Sequence, residues 1–217
     1  MLIGACALLF TSLVATPLIA GSDDFAGPYI AVQGSMHGAV MDGSATNSNS
    51  EVTTGTLGNV FGAAGLEVGY LVPGGDNVLI GLNITYQPGD GKIAIDAGAG
   101  DSGSNTEDIT LSIGDLITAS IMPMFAVSDS TALYFKYGIS AAELAWSGDV
   151  TTGLNSSMQG ESYAVGTRTL YSGGAFLQTE FGYNDFDTLN IHKKTGGGQA
   201  TANPETVYGA LSIGFRF

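Results

Sequence analysis

The chain has 217 residues, with 20 acidic against 6 basic side chains for a net charge of −14, 33 glycines, and a 44% hydrophobic content. So few Lys and Arg exclude a nucleic-acid-binding surface, because phosphate contacts dominate that affinity. The hydrophobic content excludes a disordered acidic tail, and the length suits one domain.

Residues 1–20 form an uncharged apolar run that gives way to the acidic segment Gly21 to Asp24. A secretory signal and a membrane helix both fit such a run. Pro17 near its end and the extended sequence beyond favour a cleaved leader, although a basic n-region is missing and Leu18 and Ala20 meet the small-residue rule only in part. Ile3 to Cys6 is similar to a lipoprotein box, but no hydrophobic stretch precedes it. The expected division is therefore a signal peptide over 1–20, cleaved near residues 20–22, and one domain over 21–217. Cys6 leaves with the leader, so the mature segment has no disulfide, thiolate nucleophile or Cys-based metal site.

Beyond the leader the apolar residues recur with period 2, which puts successive side chains on opposite faces of a strand. The spacing predicts strands near Pro28 to Gly38, Val60 to Leu71, Val78 to Gln87, Leu116 to Val127, Thr131 to Glu143, Ser162 to Leu170, Ala175 to Phe186 and Thr206 to Phe217. In the third, Val78, Ile80, Leu82, Ile84 and Tyr86 oppose Gly81, Asn83, Thr85 and Gln87. The fifth repeats this with Leu133, Phe135, Tyr137 and Ile139 against Tyr134, Lys136, Gly138 and Ser140, and the last with Val207, Leu211, Ile213, Phe215 and Phe217 against Tyr208, Ser212, Gly214 and Arg216. The fourth is the weakest, because Pro123 cannot donate to a neighbour; a bulge or a register slip is expected there.

Tight turns at Val72 to Asn77, Ser128 to Ser130 and Tyr171 to Gly174 alternate with long polar segments at Ala39 to Asn59, Pro88 to Asp115, Leu144 to Glu161 and Asp187 to Glu205. Eight strands with short turns at one end and long loops at the other are the pattern of a transmembrane β-barrel. A soluble lipocalin-like barrel alternates in the same way, but it hides its greasy face and shows charge outside. Here the uncharged face is the greasy one, while the few strand charges share a face with Gly, Ser and Asn. Lipid requires that arrangement, since Lys or Arg at mid-membrane costs about 2–4 kcal/mol, and closing the sheet satisfies every backbone group. Tyr70, Tyr86, Tyr137, Trp146, Tyr163 and Tyr183 fall on or near the lipid face, several close to strand ends, where interfacial aromatics belong.

The opening Ala26 to Gly34, the segments Leu133 to Ser140 and Ala175 to Phe186, and the ending Tyr208 to Phe217 resemble the small eight-stranded outer-membrane β-barrel family, the OmpA/OmpX-like barrels. The resemblance covers nearly all of 21–217 and implies an all-β fold: an eight-stranded antiparallel up-and-down barrel with short periplasmic turns and long extracellular loops. It also implies that Ile213, Phe215 and Phe217 form the assembly signal read by the outer-membrane insertion machinery. Outer-membrane lipid and lipopolysaccharide are the implied surroundings, and a monomer is the expected state. Because the chain stops at Phe217, the periplasmic peptidoglycan-binding domain of larger members is not expected.

An eight-stranded barrel is just wide enough for side chains to fill it. Glu67, Lys136, Arg168 and Glu180 all point inward, and their distances from the periplasmic turns place them in a layer ~10 Å thick. Two acids and two bases balance, and buried charges must pair, so a central salt-bridge cluster is expected with Gln33, Asn83 and Gln178 nearby. A plugged, surface-interaction barrel follows; the alternative is a narrow porin-like channel for cation-preferring solutes, conducting when the cluster rearranges.

A weaker alternative is a lipid hydrolase at the outer rim. Barrel enzymes there use a His beside Ser, Asp or Glu, and this chain offers His37 and His192, with Asp185 and Asp187 near the latter. Neither His shows the His-x-Ser spacing of the deacylases, so no catalytic residues and no cofactor are expected. The acidic segment around Asp90, Asp96, Asp101, Glu107 and Asp108 suits hard cations but lacks fixed ligand spacing, so no dedicated metal site is expected either. With acids such as Asp42, Glu51, Asp149 and Glu205 against only Lys92, Lys193 and Lys194, the long segments make a negative rim. Such a field favours cationic solutes or divalent-bridged lipopolysaccharide. The external ligand is not legible in the sequence.

Overall fold

The computed structural model describes residues 22–46, 52–95, 109–147, 157–192 and 199–217; the expected leader lies outside them. A single 3-10 turn, Ser22–Asp24, precedes β1 (Gly27–Thr46), β2 (Val52–Pro73), β3 (Val78–Ile95), β4 (Ile109–Ser128), β5 (Thr131–Ser147), β6 (Ser157–Leu170), β7 (Ala175–Phe186), the short β8 (Leu189–His192) and β9 (Gln199–Arg216). From β1 to β7 each pairs antiparallel with the next, β7 pairs with β9, and β9 returns to pair with β1 from Tyr29–Arg216 to Thr46–Gln199, closing the sheet. β7 and β8 are two stretches of one barrel strand. Both pair with β9, with a one-residue change of register across Asp187 and Thr188. The result is a closed eight-strand antiparallel β-barrel.

The period-2 pattern decides which way each side chain points. Val32, Leu66, Val68, Leu82, Ile84, Ile121, Ile139, Val165, Leu211 and Ile213 are exposed on the outside, while their neighbours Gln33, Glu67, Asn83, Ser120, Ser140 and Ser212 are buried within. Among the described residues no Lys or Arg is exposed on this outer face.

The strands run further outward than the alternation suggests. Ala39 to Thr46 pairs with Val52 to Asn59, and Asp90 to Ile95 pairs with Ile109 to Gly114, so much of two expected loops is extended hairpin. Pairing uses backbone groups and needs no apolar side chains. Hydrophobic periodicity therefore marks only where a strand touches lipid or core.

The bulge expected at Pro123 is absent. Ile80 pairs with Pro123 in a stretch of the β3–β4 ladder that runs unbroken from Val78–Phe125 to Gln87–Leu116, and β4 keeps one register with β5 on both sides, from Ile121–Tyr137 to Met124–Tyr134. Pro123 is exposed on the lipid side, and the missing donor leaves only a gap in that ladder. The irregularities of β4 lie instead between Gly114 and Ile117, where Asp115 has φ 37°, and between Ala126 and Ser128.

The barrel interior has three tiers. At the inner end, Phe25, Tyr29, Leu71, Leu79, Met122, Met124, Tyr134 and Phe176 pack into an apolar floor. At the outer end, Met41, Ile113, Leu144, Met158, Phe186 and Leu189 form an apolar roof with Phe61 and Leu116 against it. Charged and polar side chains lie between. The sequence pointed to a central polar cluster on the inward face; the two greasy ends above and below it were not anticipated. The floor lies behind exposed apolar residues of the outer face, since Val72, Val78, Ile80, Phe125, Leu133 and Phe135 flank its members in the sequence.

Candidate functional site

The middle tier is assembled from six strands. Glu67 comes from β2, Lys136 and Tyr134 from β5, Arg168 from β6, Gln178 and Glu180 from β7, Tyr29 from β1 and Tyr208 from β9. Lys136 Nζ lies 2.6 Å from Glu180 Oε2 and 3.1 Å from Glu67 Oε2, and Arg168 Nη2 lies 3.8 Å from Glu67 Oε1. Gln178 takes two hydrogen bonds from Arg168, at 2.9 and 2.7 Å, and donates one to Glu67 Oε2 at 3.1 Å. The Tyr29 hydroxyl donates to Glu67 Oε1 at 2.8 Å; those of Tyr134 and Tyr208 donate to Glu180 Oε2 and Oε1, each at 2.9 Å. Every carboxylate oxygen of the pair therefore has a donor. The charges sum to zero in a space that water barely reaches, with Glu67 0% and Arg168 1% exposed.

Arg168 is also clamped by rings. Its guanidinium carbon stands 4.0 Å from the Tyr29 ring centroid and 4.3 Å from that of Phe176, which are themselves edge to face at 5.7 Å. Weak hydration lets a guanidinium accept such faces where an ammonium would keep its water. The ion cluster is thus fastened to the floor.

Glycine makes room for these rings. Tyr29 pairs across strands with Gly69, Tyr134 with Gly166, Phe176 with Gly214 and Tyr208 with Gly182, and in each pair a Cβ on the glycine would collide with the ring. The glycine excess has a structural address.

Of the polar neighbours expected around the charges, Gln178 touches them directly. Gln33 accepts from Gln87 Nε2 at 2.9 Å and borders, with Lys136 and Glu180, a cavity of about 20 Å³. Asn83 stands apart: it accepts from Ser120 Oγ at 2.6 Å and contacts Met122. Sequence reasoning passed over Tyr29, Tyr134 and Tyr208 as partners. Their signal was parity, since Tyr134 shares the inward face with Lys136 and Tyr208 with Ser212.

His37 is not at an open rim. It is 2% exposed inside the barrel, stacked at 5.2 Å on Phe61 and 5.1 Å on Tyr208, with Nε2 2.9 Å from Ser35 Oγ. β1 carries it on the inward parity, and Phe61 is its direct partner on β2. The serine precedes the histidine, so a search for His-x-Ser missed the contact. The side chain of His192 lies outside the described residues, as do most acids of the Pro88 to Asp115 segment. Among the described residues no group of three or more His, Cys, Asp or Glu is placed to hold a metal.

The expected interfacial aromatics fall at two heights. Tyr137, Tyr163 and Tyr183 are paired side by side across β5, β6 and β7. Tyr86 Oη donates to Asp115 at 3.1 Å, while Tyr137 and Tyr163 donate to Glu161 at 3.0 and 2.5 Å. Tyr70 lies near the inner end of β2, where Phe215 and Phe217 are also exposed on the outside and in edge contact with each other. Ile213, two residues before Phe215, is 67% exposed. The side chain of Trp146 lies outside the described residues.

No protein-family model matches the chain, and no curated protein does. Solved structures do. The outer membrane protein OprG from Pseudomonas aeruginosa is similar with a TM-score of 0.57 at 15% identity, over 88% of this chain and 96% of that one. The outer membrane protease OmpT from Escherichia coli is similar with a TM-score of 0.50 at 8% identity, over 88% of this chain and 97% of that one. Neisserial surface protein A has a TM-score of 0.44 at 13% identity, over 85% and 97%. By fold the chain is a small eight-stranded outer-membrane β-barrel. An outer belt free of Lys and Arg among the described residues is consistent with a place in the bacterial outer membrane, where these structural neighbours sit.

Proposed function

We propose that the protein is a non-catalytic structural and surface-contact barrel whose lumen is held shut and whose acidic outer end meets the surroundings of the cell. The observation that carries this reading is Lys136 bonded at once to Glu67 and Glu180, with Arg168 completing a neutral cluster between an apolar floor and an apolar roof. The cavities among these lumen side chains measure about 20 and 30 Å³, room for a water each. A hydrated ion needs more.

The non-catalytic part rests on His37, which is enclosed by rings and bonded to Ser35 where no external lipid or peptide reaches it. Outside, exposed Asp42, Glu143, Glu161, Asp185 and Glu205 favour contact with lipopolysaccharide through divalent cations. Ile213, Phe215 and Phe217, outward on the last strand, serve as the signal for the insertion machinery, and the barrel works as a monomer.

Liposomes reconstituted with the barrel test the reading. No solute-dependent swelling and no conductance steps are expected. Steps that prefer cations would replace it with the narrow channel.

A further inference from the structure

Beyond the outer tyrosines the outward face of the barrel carries two kinds of wall. On β6, β7 and β9 the carboxylates of Glu161, Asp185 and Glu205 stand in one row, each the cross-strand partner of the next. On β2, β1 and β9 hydroxyls and an amide surround a single carboxylate, in two rows: Thr56, Asp42 and Asn203, and further out Thr54, Ser44 and Thr201. Parity fixes their direction, because Met41, next to Asp42, and Ala202, between Thr201 and Asn203, are buried in the roof.

Between the two rows runs a trough. Its floor is the backbone of Gly43 and Gly55, which pair across β1 and β2, and the open cavity over it measures about 420 Å³, bounded by the six side chains. That is the size of a small-molecule cleft, about 300–1,000 Å³. The rows are braced from within: Thr56 Oγ1 donates to Asp42 Oδ1 at 2.5 Å, Ser44 Oγ lies 2.9 Å from Thr201 Oγ1, and Thr188 Oγ1 donates to Asn203 Oδ1 at 2.6 Å. Among the described residues those bonds leave Asp42 Oδ2 as an acceptor, Asn203 Nδ2 as a donor and the Thr54 hydroxyl as both.

Height decides what reaches the trough. Val207 is the cross-strand partner of Tyr183, and Asn203 stands four residues further out on β9. At ~3.3 Å per residue and a tilt near 40°, the trough lies ~10 Å beyond the tyrosines. Those tyrosines mark the edge of the hydrocarbon, and over that edge, on the outside of an outer membrane, comes the sugar layer of lipopolysaccharide. A sugar hydroxyl is donor and acceptor at once, as are the groups that line the trough. Phosphate calls for Lys or Arg instead, and neither is exposed there among the described residues. Single hydrogen bonds in water are weak, but a leaflet that keeps its sugars against the wall supplies a high effective concentration.

We infer that this trough on β2, β1 and β9 is a binding site for the sugars of the lipopolysaccharide packed around the barrel, which it takes by direct hydrogen bonds. Asp42, the charged acceptor, makes the strongest of them, Asn203 donates, and the threonine and serine hydroxyls serve in either sense. The inference rests on the surface-contact reading and divides that contact in two. This wall holds sugar hydroxyls, while the carboxylate row on β6, β7 and β9 meets phosphate through divalent cations.

Saturation-transfer NMR on the refolded barrel in detergent micelles tests this, with the lipid-free core oligosaccharide of lipopolysaccharide as the probe and EDTA present to remove divalent cations. Sugar protons should receive saturation from the barrel above the level seen with empty micelles. Thr56→Val combined with Asn203→Leu changes two exposed side chains and should raise the Kd about tenfold, as two lost hydrogen bonds of modest strength do. Glu161→Gln combined with Asp185→Asn, on the other wall, should leave the Kd unchanged. No transfer to wild type, or an unchanged Kd in the trough variant with folded gel mobility intact, would overturn the inference. So would transfer that appears only when Mg²⁺ replaces EDTA, a result that keeps the ion-bridged contact and removes the hydrogen-bonded site. Conductance through the lumen would remove the surface-contact reading itself, whatever the trough binds.

Discussion

The two apolar ends of the lumen have similar compositions and different attachments. The floor is gripped by the ion cluster, since Arg168 lies between Tyr29 and Phe176, and it sits where β2 and β3 are paired. The roof meets the cluster through the stacked rings of Phe61, His37 and Tyr208, with voids of about 20 and 30 Å³ at the junction. Apolar burial alone does not make a region rigid. What distinguishes the floor is that its rings also hold a charge.

Phe25 sharpens the contrast. It comes from outside the strands, is 1% exposed in the floor, and is held by the 3-10 turn before it, where Ser22 donates through Oγ to Gly75 O at 2.7 Å and through N to Asp76 O at 2.9 Å. Arg216 adds a bond to Ala26 O at 2.9 Å. The N-terminal segment stoppers the inner mouth, and the roof has no counterpart among the described residues.

The largest effect is expected from the cluster that joins the tiers. Lys136→Ala leaves Glu67 and Glu180 buried with one cation between them, and breaking a buried pair in this way costs about 3–5 kcal/mol. Denaturant titration in detergent, read by the shift in gel mobility between folded and boiled protein, should show that loss; unchanged resistance would mean that the cluster bears no weight. Next, Phe25→Ala should cost about 3–5 kcal/mol as a core cavity, and Phe186→Ala in the roof should cost less, because the side chains around the small voids below the roof have room to settle into the space. Equal costs would erase the distinction between the two ends. Tyr208→Phe removes one hydrogen bond to a buried carboxylate, worth about 1.5–3 kcal/mol; hydrogen exchange should rise around the roof more than around the floor. Ser22→Ala should be smallest, about 1 kcal/mol, with faster proteolysis at the N-terminal turn as its sign.

Much of this architecture was legible residue by residue. Alternation at Val78 to Tyr86 and Leu133 to Ile139 separates the lipid face from the lumen, and the same parity puts Glu67, Lys136, Arg168 and Glu180 inside. Their heights above the turns follow from counting residues along a tilted strand. Pro123 misled because a missing donor was read as a bent strand, whereas an exposed proline on a barrel wall breaks one hydrogen bond and no more. The outer hairpins were hidden because Gly-, Thr- and Asn-rich segments such as Thr53 to Asn59 pair through backbone groups that leave no mark on hydropathy.

The sequence by itself determined the period, the parity, the charge-free belt and the balance of inward charges, because each depends on side chains one or two positions apart in a strand of known geometry. Only the tertiary structure decided which partners those charges take, that tyrosines and glycines pair across strands to hold them, and that His37 lies within the lumen. These depend on the stagger between strands distant in the chain, and a shift of a single residue in that stagger would exchange every partner while leaving the alternation intact.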